Sequence, residues 1–227
     1  MTYLIFGGAF DPPHLGHVQM AATAHKYFPG LKILVLPSPV SPTPGKFEMA
    51  PFPHRLAMAH QAFLEPIKSG WLEVSSLEEE LPSPNYTITT LIALGATPKN
   101  RHSLLLGDDQ LASFHLWKDP KKILEIADLV VFRRVSESPS PLLLGDLLGV
   151  KAQKLHDHVF EIGEAKVTLI HDRVCNASSR EIRAYLRQGE ETPWLPGDVL
   201  AYIKEFQLYG SSLFTKSIDP KTVTQLK

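Results

Sequence analysis

Short apolar runs that end at glycine or proline recur along this chain, and the stretches between them space their apolar positions as helices do. Residues 3–6 are apolar and stop at Gly7-Gly8, the pattern of a buried strand. From residue 15 to 28 the period turns helical, and Pro29-Gly30 closes it. Residues 31–36 give a second apolar run. A proline-rich stretch over 37–53 precedes a helix expected at 55–66. A third strand is expected at 71–75, a helix at 86–94, and a strand at 103–106 that again ends in a glycine, Gly107. Helices near 109–114 and 120–127, strands at 129–132 and 167–170, and helices near 179–188 and 197–206 complete the pattern.

Strands alternating with helices predict an α/β fold: a Rossmann-like parallel sheet with helices on both faces, joined by right-handed crossovers. A small C-terminal helical subdomain is expected from about residue 175. Residues 1–210 read as one domain, and 211–227 as a tail without apolar period, a candidate for disorder. Residues 136–141 read as an exposed loop. In open sheets of this class, ligands gather beyond the carboxyl ends of the strands, where the strand order reverses. The turns at Gly7 and Gly107 lie at such ends.

Composition narrows the function classes. With 23 Lys and Arg against 24 Asp and Glu, the net charge is −1 and both signs are spread along the chain. That offers no broad positive field for nucleic acid or an acidic membrane, so an anionic ligand needs a local cluster of donors. The single cysteine, Cys175, excludes an internal disulfide and reads as a small packed residue. No signal-peptide pattern opens the sequence, and no apolar run is long enough for a bilayer. A soluble cytoplasmic protein is expected; the sequence specifies no oligomeric state.

The first glycine turn carries the strongest chemistry. A strand ending in Gly7-Gly8 and leading within a few residues to a helix suits phosphate: glycines let backbone approach, and the helix start offers free N–H groups. His14 and His17, three apart, share one face of the first helical turn and can donate to a triphosphate. A metal half-site is the competing reading of His-x-x-His, but no carboxylate or cysteine stands nearby to complete it. The string is neither a Walker A loop nor a Gly-x-Gly-x-x-Gly turn. His156 and His158, two apart, read as a surface pair.

A second anion site is expected at Ser178-Ser179-Arg180-Glu181-Ile182-Arg183. Ser178 and Glu181 have capping-box spacing, and Gly189 is placed to end the helix. Arg180, Arg183 and Arg187 make a basic stripe near a helix N-terminus, where cations oppose the helix dipole unless an anion is bound.

Together these segments resemble the nucleotidylyltransferase superfamily, whose core His-x-Gly-His is matched by His14-Leu15-Gly16-His17. Its second motif, close to Ile-Ser-Ser-Thr-x-x-Arg, is matched at Ser178, Ser179 and Arg183, with Arg180 in place of the threonine. Over residues 3–209 the order resembles the bacterial nicotinate-nucleotide adenylyltransferases. That resemblance implies ATP contacts at Gly7, Gly8, Phe10, His14, His17, Gly107, Asp109, Ser178 and Arg183. It implies a pyridine mononucleotide acceptor beside Tyr86, Thr87, Asp109, Trp117 and Arg134, with Trp117 stacked on the ring. Transfer would fall to His14, His17, Lys46 and Arg183, with Mg²⁺ carried on the ATP phosphates. Within residues 37–46 the family's usual asparagine and histidine are absent, which leaves acid against amide open. Nicotinamide mononucleotide or phosphopantetheine as acceptor, or a nucleotide-binding regulator without catalysis, are the other readings.

Overall fold

In the sheet, the apolar runs split residue by residue between two cores. The computed structural model describes residues 2–40, 49–133 and 140–210. Lys46 and Arg134, both candidate ligands, lie outside the described residues, as do most of the 136–141 loop and the 211–227 tail.

Eight strands form one sheet: β1 Tyr3–Gly8, β2 Lys32–Pro37, β3 Leu72–Val74, β4 His102–Gly107, β5 Ala127–Phe132, β6 Ala152–His156, β7 Val159–Ile162 and β8 Ala165–Ile170. Their order is β3-β2-β1-β4-β5-β8-β7-β6. The first six in that order pair in parallel, as expected. β7 and β6 then run antiparallel to their neighbours, so the sheet is mixed, and this hairpin extension was not expected from the sequence. The helices are α1 Leu15–Tyr27, α2 Phe52–Ala62, α3 Leu64–Lys68, α4 Thr87–Ala93, α5 Asp108–Ser113, α6 Pro120–Ile126, α7 Pro141–Leu148, α8 Ser179–Arg187 and α9 Gly197–Glu205.

Because side chains alternate across a strand, Leu4 and Phe6 enter one core while Ile5 enters the other. Ile33 and Val35 part from Leu34 and Leu36 in the same way, and Val130 and Phe132 from Leu129 and Val131. On one face the sheet is covered by residues of α1, α2, α8 and α9, such as Met20, Met58, Ile182 and Val199. On the other it is covered by α4, α5, α6 and α7, through Leu91, Leu111, Ile123 and Leu144. Continuous apolar strands therefore mark a sheet buried on both sides.

The helix expected at 55–66 is two helices broken at Phe63. Pro66 has no N–H to give Ala62, and its ring would clash with that carbonyl, so α2 cannot run on through it. α2 also begins earlier than expected, with Pro53 in its first turn, where a missing N–H costs nothing.

Candidate active site

The strand order reverses between β1 and β4: from β1 the chain adds β2 and β3 on one side, and from β4 it adds β5 and β8 on the other. At the carboxyl ends of these two strands lies a cleft of about 610 Å³. Gly7, Gly8 and Ala9 form one wall. Asn85, Tyr86, Thr87 and Thr90 from the start of α4, and Asp109, Ser113, Trp117 and Lys118 from α5 and beyond, form the others. Leu91, Leu104, Leu106 and Ile123 supply an apolar floor.

The glycines have separate reasons. A Cβ on Gly7 would meet nothing within 4 Å, so its absence leaves room at the cleft wall, whereas one on Gly8 would stand 3.3 Å from the Phe10 ring. Phe10, with φ at 47°, is 2% exposed and packs against Phe6, His17 and Phe63. Its side chain frames the loop from behind, leaving its backbone as the part that can face a ligand. Gly107 caps α5 from a buried position at the end of β4. Asp108, also buried, accepts the Asp109 N–H at 3.0 Å, and Asp109 itself is exposed at the cleft.

His14 sits at the N-cap of α1 and is 3% exposed; His17 follows one turn later. Their rings stack with centroids 3.7 Å apart. The His14 backbone N–H donates to His17 Nδ1 at 3.2 Å. In the neutral ring this acceptor role at Nδ1 puts the proton on Nε2, turning the far edge of His17 into a donor. The first turn of α1 carries no acidic residue, so its N-terminal potential is not quenched.

Loop and second motif are sewn together. Ser179 Oγ donates to Pro12 O at 2.9 Å, and Arg183 Nη1 donates to Asp11 O at 2.6 Å while standing 3.3 Å from Asp11 Oδ2. The Leu15 N–H reaches Trp194 O at 2.8 Å. A Cβ on Gly16 would lie 2.8 Å from Cys175 O, so only glycine lets α1 pass the segment leading to α8 this closely. Ser178 occupies the N-cap of α8 in extended conformation, but its side chain makes no cap, so the expected capping box does not form. Gly189, at φ 77°, ends α8 as expected. The arginine stripe also divides: Arg183 turns into the loop, whereas Arg180 and Arg187 are exposed.

Tyr86 is the N-cap of α4 and Thr87 its first residue; neither caps it by a side chain. Trp117 is half-buried, its ring 5.0 Å from that of Phe114, with its other surface on the cleft. Gly7, Gly8, Tyr86, Thr87, Asp109 and Trp117 thus share one cavity. His14, His17, Ser178 and Arg183 cluster instead where the first loop meets α8.

Three residues that sequence reasoning passed over hold this arrangement. Asp11, 2% exposed, accepts from Ala50 N at 3.0 Å and from Tyr209 Oη at 2.7 Å, besides pairing with Arg183. Burial, and then the charge and hydrogen bond of Asp11, push the Tyr209 phenol far above its usual range, while Arg183 and Arg55 partly oppose this. Arg55, 1% exposed, donates to the carbonyls of Ala50, Ala9, Ser38 and Pro39 at 2.7–2.9 Å. Burial lowers its pKa, and Asp11 partly opposes that. Arg55 was visible in the pattern: with Met58, Ala59 and Ala62 it completes the buried stripe of α2, where an arginine needs a reason.

Among the described residues no three His, Cys, Asp or Glu gather as metal ligands, and no helix is long and apolar enough to cross a membrane. His156 is exposed and His158 turns at φ 66° toward His171, their rings 4.4 Å apart.

A family profile described as cytidylyltransferase-like matches residues 5–185. A probable nicotinate-nucleotide adenylyltransferase of Myxococcus xanthus is 33% identical over 208 residues, covering 91% of this chain and 93% of its own. One from Chlorobium luteolum is 37% identical over 150 residues, 64% of this chain and 75% of its own. Among solved structures, the nicotinic acid mononucleotide adenylyltransferase of Plasmodium falciparum complexed with NaAD superposes with a TM-score of 0.70 at 17% identity, covering 93% of this chain and 98% of its own. The chain belongs to the cytidylyltransferase-like family and, within it, to the nicotinate-nucleotide adenylyltransferases.

Proposed function

We propose that the protein transfers the adenylyl group of ATP to the 5′-phosphate of nicotinate mononucleotide, forming deamido-NAD and pyrophosphate. A phosphate oxygen of the acceptor attacks the α-phosphorus in line as the bond to the pyrophosphate oxygen breaks. The attacking phosphate is already anionic near neutral pH, so no general base is needed. What the protein supplies is alignment and neutralisation of the charge that moves onto pyrophosphate.

His17 supports that role through its Nε2–H, which the His14 N–H···Nδ1 bond directs outward. His14, the unquenched N-terminus of α1, Ser178 and Arg183 supply the remaining positive potential, with Lys46 and Arg134 as further cations. Arg183 is steered by Asp11 toward the loop that precedes the histidines. ATP enters as its Mg²⁺ complex, and the ion keeps phosphate and water oxygens as its ligands. On the acceptor side, Trp117 offers a face for the pyridine, Tyr86 and Thr87 flank it, and Asp109 is in place for a ribose hydroxyl.

The observation that carries this reading is the single cavity at the reversal of strand order, walled by Gly7 and Gly8 and by Trp117, Tyr86, Thr87 and Asp109. Pyrophosphate release is followed with ATP and Mg²⁺ plus nicotinate mononucleotide, nicotinamide mononucleotide or phosphopantetheine in turn. Turnover with the acid at much the highest kcat/KM is expected. Preference for the amide would overturn the acceptor assignment, and silence with all three would leave a nucleotide-binding regulator. We further propose that the protein acts in the cytoplasm, a reducing compartment that suits its single cysteine.

A further inference from the structure

Asp11 divides its two carboxylate oxygens between the two ends of the chain. Oδ1 accepts from Tyr209 Oη at 2.7 Å and from Ala50 N at 3.0 Å, and these two donors fill its lone pairs. Oδ2 faces Arg183 Nη1 at 3.3 Å, and the Asp11 carbonyl accepts from the same nitrogen at 2.6 Å. Arg183 is therefore held by one arm. Its Nε is buried with no hydrogen-bond partner among the described residues, while 22% of its side chain stays exposed. A guanidinium beside a carboxylate commonly takes both oxygens in two parallel bonds. Here Tyr209 and Ala50 occupy the oxygen that would complete such a pair. The chain accepts unfavourable backbone to bring the phenol there: Gln207 and Tyr209, at φ 53° and 58°, both lie in the left-handed region that residues with side chains avoid. Leu208 and Tyr209 pack on the core, which accounts for the ring of Tyr209 but not for its hydroxyl.

We infer that Tyr209 is a positioning residue for the ATP phosphates: by occupying Asp11 Oδ1 it keeps the carboxylate from closing on Arg183 with both oxygens, which leaves the Nη2 arm of the guanidinium for phosphate. This rests on the phosphate role given to Arg183 above. Without the hydroxyl, Oδ1 loses one of its two donors and becomes an acceptor for a second nitrogen of Arg183. Asp11 then holds the guanidinium by two bonds, and a phosphate has to break that pair in order to bind. Tyr209 touches no substrate in this scheme; it acts through Asp11 on Arg183, from the last turn of the described chain onto the first loop. Lysine in place of Arg183 has a single point charge and no second arm to be captured, so in that setting the hydroxyl has nothing to protect.

The test is a double-mutant cycle on calorimetric binding of Mg²⁺-ATP to the full chain without acceptor. Tyr209→Phe keeps the ring and should weaken ATP binding by about tenfold, the low end for one hydrogen bond to a charged group. Arg183→Lys should weaken it by itself, and in that background Tyr209→Phe should change it by no more than about twofold. A Tyr209 that only braces the first loop would cost as much in either background. In turnover, Tyr209→Phe should raise the KM for ATP by the same factor and leave that for nicotinate mononucleotide within about twofold. Unchanged ATP affinity in Tyr209→Phe, an equal loss in both backgrounds, or equal rises in both KM values overturns the role of Tyr209 alone. ATP affinity unchanged in Arg183→Lys removes Arg183 from the phosphate site and overturns that assignment and this inference together.

Discussion

At the scale of single residues, the site turns on two positions where chemistry and packing make opposite demands. His17 must present Nε2–H to a ligand while its ring packs on Phe10 and Phe6. The two functions separate in a variant. His17→Ala should lower turnover by about 10²–10³-fold, the range for removing one donor to developing charge, while far-UV CD and cooperative unfolding persist. Near-normal pyrophosphate release from a folded variant would remove His17 from catalysis. Gly16 acts only through its missing side chain. Gly16→Ala would push a methyl against Cys175 O and the His14 ring, at 2.8 Å and 3.0 Å. Since a backbone carbonyl cannot swing aside, a loss of about 1–3 kcal/mol is expected in urea unfolding. Stability unchanged within error would mean that α1 and the Cys175 segment need not approach so closely.

Elements show why some of the design was legible and some was not. The six parallel strands were readable because burial on both faces leaves continuous apolar runs, such as residues 31–36 and 103–106, that glycine or proline punctuates. β6 reads as Ala-Gln-Lys-Leu-His, an edge strand whose last three residues are all exposed, and β7 is four residues long; neither carries enough apolar period to stand out. α7, with Leu142, Leu143, Leu144, Leu147 and Leu148, was obscured by the proline-rich stretch before it. In the site, the glycine turn, the histidine pair and the Ser-Ser-x-x-x-Arg segment announced themselves through unusual local spacing. Asp11 and Tyr209 did not, because their partners lie 39 to 198 residues away, whereas Arg55 showed as a charge on the buried stripe of α2 without showing what it binds. Arg55 fastens α2 to both loops at the β1 and β2 ends through four carbonyls. Replacing it by Met should strand those acceptors and destabilise the fold by about 3 kcal/mol or more. Arg55→Lys should recover little, since a point ammonium cannot reproduce the planar fork. Urea midpoints for the two variants decide this; a lysine variant within about 0.5 kcal/mol of wild type would make the fork unimportant.

Across the whole molecule, the last described residues close on the first loop. Tyr209 Oη donates to Asp11 Oδ1, Asp11 pairs with Arg183 of α8, and Arg55 grips the carbonyl of Ala9 two residues before Asp11. Residues separated by nearly the length of the chain thus hold the segment that leads into His14 and His17. This closure has a pH signature, because the Tyr209 phenol is raised in the folded protein above its unfolded value near 10. The folded state retains that proton where the unfolded chain has released it. Its contribution is therefore complete below pH 10 and is lost as pH climbs from there toward the folded pKa. The wild type should lose stability above pH 10 more steeply than Tyr209→Phe, by up to about 1.4 kcal/mol per pH unit. Near pH 7, where the phenol is protonated in both states, the two proteins should differ only by the lost hydrogen bond, about 1 kcal/mol. Urea unfolding of both proteins from pH 7 to 11 measures this directly. Parallel curves above pH 10 would show that Tyr209 does not keep its proton against Asp11, and the closure of the C-terminal end on the first loop would then rest on packing alone.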